Sequence, residues 1–180
     1  MSNVLITGSS RGLGLELVRQ LASGECQGGI VIAAARKCSP ELRDLISHSH
    51  GSVVFVPLDL TDERAITKSV TAVQSALKEK SLDVLINCAG VHSETQGKLV
   101  HMYDSYSSPS SQKFNLINPT GVTWTITCRD MGGMNADLTL PQGADAVLNV
   151  ILAADCTDNG RFKNIHVPGW EAYNGEDVPW

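Results

Sequence analysis

The stretch Thr7–Gly14, T-G-S-S-R-G-L-G, sets three glycines in a G-x-x-x-G-x-G spacing directly after an apolar run. A helix that starts inside such a loop turns its unpaired N–H groups and the positive end of its dipole outward, with few side chains in the way. The chemistry is anion binding, and at the first strand-to-helix turn of a chain it is the binding of a dinucleotide pyrophosphate. Gly8 permits the tight turn, Gly12 lets the backbone approach the phosphates, and Gly14 lets helix and sheet pack closely. A second anion subsite is legible in Ala33–Cys38, A-A-A-R-K-C. An NAD site places a carboxylate at the end of the second strand, roughly 20 residues past the glycines, to bind the ribose 2′-hydroxyl. No acid stands here. Arg36 and Lys37 do, and a guanidinium fork suits a 2′-phosphate. Arg11, inside the glycine loop, has the reach to join them. The pattern favours NADP over NAD. Solvated surface charge is the alternative for each cation, and it weighs most for Lys37.

These residues need elements to hold them. Val4–Ile6, Ile30–Ala34, Val53–Val56 and Val84–Ile86 are short, continuous apolar runs, the signature of strands covered on both faces. Three amphipathic segments alternate with them. In the first, Leu13, Leu17, Val18, Leu21 and Ala22 share a face, and Gly24 ends the helix. In the second, Ser39 caps, Pro40 takes the first helical position, and Leu42, Leu45 and Ile46 turn inward. In the third, Thr61 is the expected cap, Asp62 and Glu63 suit the positive end of the dipole, and Ile66, Val70, Val73 and Leu77 form the expected buried stripe. The order βαβαβαβ predicts an α/β fold, a doubly wound, Rossmann-type parallel sheet with right-handed crossovers.

The whole chain has 180 residues, enough for one domain with a real core, and 42% hydrophobic and 18% charged residues describe a globular protein. A net charge of -5 argues against nucleic acid as a partner. No apolar run approaches the ~20 residues of a membrane helix, and the N-terminus shows no signal-peptide pattern. The five cysteines include no C-x-x-C pair, which points to reduced thiols and a cytoplasmic protein.

The glycine spacing with Thr7 before it resembles the short-chain dehydrogenase/reductase family. I-N-C-A-G, Ile86–Gly90, is similar to that family's N-N-A-G element, with Cys88 replacing its second asparagine. L-D-L-T-D, Leu58–Asp62, resembles its acidic element after the third strand. The resemblance implies a cofactor site formed by Gly8, Ser10, Arg11, Gly12, Leu13, Gly14 and Arg36, with Asp59 and Leu60 at the adenine and Asn87, Ala89 and Gly90 along the adenosine side. Residues 131–180 resemble the substrate loop, last helix and tail of the sniffer-like carbonyl reductase subgroup. In that helix Thr139 with Gln142 can form a capping box, and Ala144, Val147, Leu148, Ile151 and Leu152 share one face.

Between Gly90 and Asp130 the likeness fails. The family places two helices, two strands, a catalytic serine and a Y-x-x-x-K pair in that interval, which needs about 45–60 residues. Residues 91–130 are too few, and Y-D-S-Y-S-S-P-S-S-Q-K reads as loop. Phe114–Ile117 reads as a remnant of the sixth strand, with Pro119 and Gly121 a broken P-G. Tyr103 has Ser107 four residues on, Tyr106 has Ser110 and Tyr173 has Asp177, so no tyrosine has the lysine. A tyrosine with a free pKa of about 10 needs a fixed cation one helical turn away to exchange a proton near pH 7. Lys98, five residues before Tyr103, does not supply that geometry. Ser105 and Ser107 read as loop residues. No G-x-S-x-G or H-E-x-x-H motif offers another chemistry.

Three readings stay open at this level. The chain is an oxidoreductase-family protein without its catalytic centre, or an NADPH-dependent reductase of small carbonyl compounds working through other residues, or an NADP-binding regulatory module. The sheet is expected to be incomplete in its second half. Strand four would stand at an open edge, and the family-type oligomer would be absent.

Overall fold

The apolar runs become the inner strands of a twisted sheet, and the segments between them become helices on its two faces. The computed structural model describes residues 2–24, 28–89, 94–95, 98–99, 112–117, 123–128, 138–158, 161 and 163–177, and the strands between residues 94 and 128 by their backbone course. The elements run β1 (Val4–Thr7), α1 (Gly12–Ser23), β2 (Val31–Ala35), α2 (Pro40–His48), β3 (Val53–Pro57), α3 (Glu63–Leu77), β4 (Val84–Asn87), β5 (Glu94–Thr95), β6 (Lys98–Leu99), β7 (Gln112–Ile117), β8 (Thr123–Cys128) and α4 (Leu140–Ala153), with a 3-10 turn at Cys156–Asp158. The main sheet has the order β3-β2-β1-β4-β7-β8, and β5 and β6 form a separate pair. β1 pairs in parallel with β2 and β4, and β2 with β3.

The parallel half follows the expectation. All five residues of β2 are buried, as a strand covered on both faces requires. Alternation sorts its side chains. Val31 and Ala33 join Val4, Ile6, Val53 and Ile86 in the larger core, against Leu13, Leu17, Val18 and Leu21 of α1 and Ala144, Val147, Leu148 and Ile151 of α4. Ile32 turns to the other face, with Val56 and Leu77. Each fully buried Leu, Ile or Val contributes about 1.5–3 kcal/mol. Gln20 ties the two helices of the larger core, donating from Nε2 to the Pro141 carbonyl at 3.0 Å.

At the amino ends of the central strands, buried Asn3 acts as a hub. Its N–H donates to Asp83 Oδ2 at 2.7 Å, its Nδ2 to the Ser81 carbonyl at 2.7 Å, and its Oδ1 accepts from the Ile30 N–H at 3.1 Å.

Five expectations need correction. β4 is no edge: β7 pairs with it, Leu85 opposite Ile117 and Asn87 opposite Asn115. That pairing is antiparallel, as is β7 with β8, so the second half of the sheet is a hairpin added to a parallel core. β7 also begins at Gln112, two residues before the expected remnant. The cap of α3 is Asp62, whose side chain accepts from the Arg64 N–H at 2.9 Å, because Thr61 Oγ1 is drawn to Asp59 Oδ1 at 2.8 Å instead. The α3 stripe is buried only at its carboxyl end: Leu77 is 6% exposed, whereas Ile66 is 39% and Val70 52% exposed. Among the described helices α3 alone contributes a buried apolar residue to its face of the sheet, and in its amino-terminal half only Ser69 is buried. Leu152, at the end of α4, is likewise exposed.

Other local signals hold. Ser39 Oγ accepts from the Leu42 N–H at 3.2 Å with Pro40 behind it, and Gly24 follows α1. Thr139 and Gln142 form the capping box. The carboxyl-terminal segment folds back through bridges Lys163–Asp177 and His166–Asn174, buries Ile165, and is held by ion pairs Lys163–Asp158 at 2.7 Å and Arg161–Asp177 at 3.3 Å. Among the described residues no helix is long and apolar enough to cross a membrane.

Candidate cofactor site

The chain steps outward from β1 to β2 to β3 and returns to β4 on the other side of β1. Strand order therefore reverses between β1 and β4, and in an open α/β sheet the ligand crevice lies beyond the carboxyl ends of the strands at such a point. Gly8 leaves β1 there with φ +71°, a conformation strained for any L side chain. A Cβ on Gly8 would stand 2.7 Å from the Cα and N of Ala89. The glycine loop and the loop after β4 thus meet backbone to backbone. Thr7 fastens the same seam: its Oγ1 accepts from the Ala89 N–H at 3.2 Å and donates to Asn87 Oδ1 at 3.5 Å.

Gly14 closes the loop from the helix side, where a Cβ would stand 2.5 Å from the Gly8 carbonyl oxygen. Ser9, wholly buried, gives both its N–H (3.2 Å) and its hydroxyl (3.1 Å) to the Ala34 carbonyl, which anchors the loop to β2. Leu13 is buried beneath the turn, Gly12 opens α1 at φ +57°, and Ser10 is half-buried. Arg11, exposed, is the N-cap in extended backbone. It makes no side-chain cap bond, and the first turn of α1 carries no acid. The positive end of α1 therefore has no anion of its own.

Exposed Arg36 and Lys37 follow β2 directly. Asp59 lies just past β3, whose Pro57 pairs with Ala35 of β2. The Thr61 N–H at 3.0 Å and the Thr61 hydroxyl at 2.8 Å hold the Asp59 carboxyl below the usual carboxylate range, and the positive charge of Arg36 pulls the same way. Leu60 beside it is 49% exposed. Asn87 ends β4, Cys88 is buried and Ala89 is exposed. Eleven of the twelve residues expected at the cofactor are thereby placed along one end of the sheet, Gly8–Gly14 with Asn87 and Ala89 at one seam, Arg36 with Asp59 and Leu60 beyond the next two strands. Gly90, Tyr103, Ser105, Tyr106 and Ser107 lie outside the described residues. Tyr173 sits in the carboxyl-terminal segment, its ring 6.0 Å from that of Trp170. Among the described residues no group of His, Cys, Asp and Glu could hold a metal.

A dinucleotide phosphate fits this arrangement. The uncapped, acid-free start of α1 offers N–H groups and dipole to an anion, and three arginine or lysine side chains stand at the same end of the sheet with no ion pair to another described residue. Sequence reasoning missed the parts of Thr7 and Ser9. Both sit in the quoted motif, but nothing in a turn serine or a strand-ending threonine tells which backbone group across the sheet it will reach.

The comparisons agree with the geometry. The family model described as short chain dehydrogenase matches residues 2–128. An uncharacterized oxidoreductase of Schizosaccharomyces pombe is 35% identical over 124 residues, 68% of this chain and 37% of its own length. The (-)-isopiperitenone reductase of Mentha piperita is 34% identical over 110 residues, 57% of this chain and 33% of its own. The chain spans about a third of the length of the curated relatives it matches first. Among solved structures, the carbonyl reductase Sniffer of Drosophila melanogaster aligns over 100% of both chains with a TM-score of 0.71 at 18% identity, which shows the fold.

Proposed function

The chain belongs to the short-chain dehydrogenase family, and on that premise we propose that it binds NADP(H) in the seam between β1 and β4 and transfers hydride weakly or not at all. The observation that carries the cofactor half is Arg36, exposed at the carboxyl end of β2 where no carboxylate stands to receive a ribose hydroxyl. Gly8, Gly12 and Gly14 keep the loop clear for the pyrophosphate, Ser10, Arg11 and Leu13 complete that turn, and Arg36 with Arg11 takes the 2′-phosphate. Asp59 and Leu60 meet the adenine, and Asn87 and Ala89, with Gly90 after them, flank the adenosine. The cofactor, when bound, supplies or accepts hydride. What the chain lacks is the partner step: no tyrosine is followed four residues on by lysine, so no cation stands in helical register to bring a phenol into range for proton exchange. The substrate class proposed, from the likeness of residues 131–180 to sniffer-like carbonyl reductases, is a small carbonyl compound.

Fluorescence titration with NADPH and NADH tests the cofactor half. NADPH is expected to bind about tenfold or more tighter, the worth of one charge-assisted phosphate contact, and Arg36→Ala to abolish the preference. Equal affinities would refute it. Oxidation of NADPH with a panel of aldehydes and ketones tests the rest. Loss of positioned acid–base catalysis removes about 10²–10⁴ in rate. Turnover near the enzyme median of about 10 s⁻¹ would instead establish a reductase that works through other residues.

A further inference from the structure

Ser39–Pro40 lies just past Arg36, assigned above to the cofactor 2′-phosphate, and its neighbour Lys37, in the order Arg36-Lys37-Cys38-Ser39-Pro40. Ser39 has extended backbone, φ -68° and ψ 161°, and is partly accessible, and exposed Pro40 opens α2 directly after it, so the pair lies at the surface where the helix begins. Arg36 and Lys37 are exposed and ion-paired to no other described residue. The Ser39 hydroxyl already accepts from the Leu42 N–H, so a phosphate there keeps the acceptor that α2 needs at its start and adds charge of the sign that the helix end favours.

We propose that Ser39 is a phosphorylation site for a proline-directed kinase, and that its phosphate engages Arg36 and Lys37 in competition with the 2′-phosphate of the cofactor. In the transfer, Ser39 Oγ forms the new bond to the γ-phosphorus of a nucleoside triphosphate bound to the kinase. The bond from that phosphorus to its bridging oxygen breaks, the nucleoside diphosphate leaves with the electron pair, and the serine proton passes to a base of the kinase. The product carries about 1.5–2 negative charges within three residues of Arg36. Charge-assisted phosphate–arginine contacts are strong, and a phosphate already beside Arg36 neutralises its charge and repels a second phosphate brought to the same guanidinium. The modification would thus set cofactor affinity by charge without moving the glycine seam. The competition rests on the NADP reading; the modification itself does not.

The experiment treats the folded chain with a purified proline-directed kinase and ATP, then locates the phosphate by peptide mass spectrometry, since Ser108–Pro109 is a second Ser-Pro pair. Phosphate on Ser39, abolished in Ser39→Ala and in Pro40→Ala, is the expected result, together with a raised melting temperature. Titrations then compare modified and unmodified chain. NADPH affinity is expected to fall about tenfold on modification while NADH affinity changes less than twofold, and Arg36→Ala should remove the difference. Unphosphorylated Ser39 would overturn the proposal, as would modified chain that binds NADPH as tightly as unmodified. Unmodified chain that binds no NADPH overturns the cofactor reading instead, and a phosphate on Ser39 with a raised melting temperature then still supports the modification.

Discussion

Gly8 shows how much a single residue decides here. Its left-handed φ and its contact with Ala89 leave no place for a Cβ. Gly8→Ala is expected to cost about 2–4 kcal/mol from strain and overpacking together, read as a lowered melting temperature, and to weaken NADPH binding further than stability alone explains. Asp158 bears on pH. The Lys163 ammonium, bonded to it at 2.7 Å, holds its carboxyl below the usual range, and the Asp155 N–H adds to this. A carboxyl whose folded pKa is depressed contributes stability in full above its unfolded value, about 3.9, and loses it as pH falls through the lower folded value. The melting temperature of the native chain should therefore exceed that of Asp158→Asn by a constant margin above about pH 5, and the margin should shrink below about pH 4. A margin that did not move with pH would assign Asp158 to packing. The place of Arg36 at the end of β2 was legible because it is fixed by counting from the glycines. Thr7 and Ser9 were not, because their partners lie 80 and 25 residues away.

At the scale of elements, what was legible was whatever is decided within four residues. The caps at Ser39 and Thr139 each bond to a neighbour three residues on. Thr139→Ala should cost about 1 kcal/mol in a urea unfolding titration, with an unchanged m-value. Thr61 went wrong through competition, since two acidic residues flank it and the nearer geometry took its hydroxyl. The α3 stripe went wrong because periodicity tells which face is apolar, not whether anything covers it. For β7 the apolar run gave the strand but carries no sign of direction. Its pairing with β4 makes a definite claim: the amides of Leu85, Ile86 and Asn87 should exchange as slowly as those of β1. Fast exchange on the β7 side of β4 would restore the open edge.

Taken whole, the molecule joins four parallel strands, legible because amphipathic helical segments alternate with their apolar runs, to an antiparallel hairpin whose second strand, the alternating T-W-T-I-T-C, went unread. That division has a kinetic side. The hairpin β7–β8 closes over a handful of residues, and β2 finds β3 across one helix. β1 and β4 must find each other across 80 residues, and the bonds of Asn3 to Asp83 and Ser81 are made only when that long loop has shut. Closing a loop spends chain entropy before contacts repay it, and non-local pairings of this kind set the height of folding barriers. Asn3→Ala should therefore destabilise by about 1–3 kcal/mol, the cost of buried groups left without partners, and most of that loss should fall on the refolding limb of the chevron. A slowed refolding rate with little change in unfolding would mark the joining of β1 to β4 as the event that commits the chain, and the loop before α1 would then take its cofactor-ready shape only once the chain had crossed that barrier.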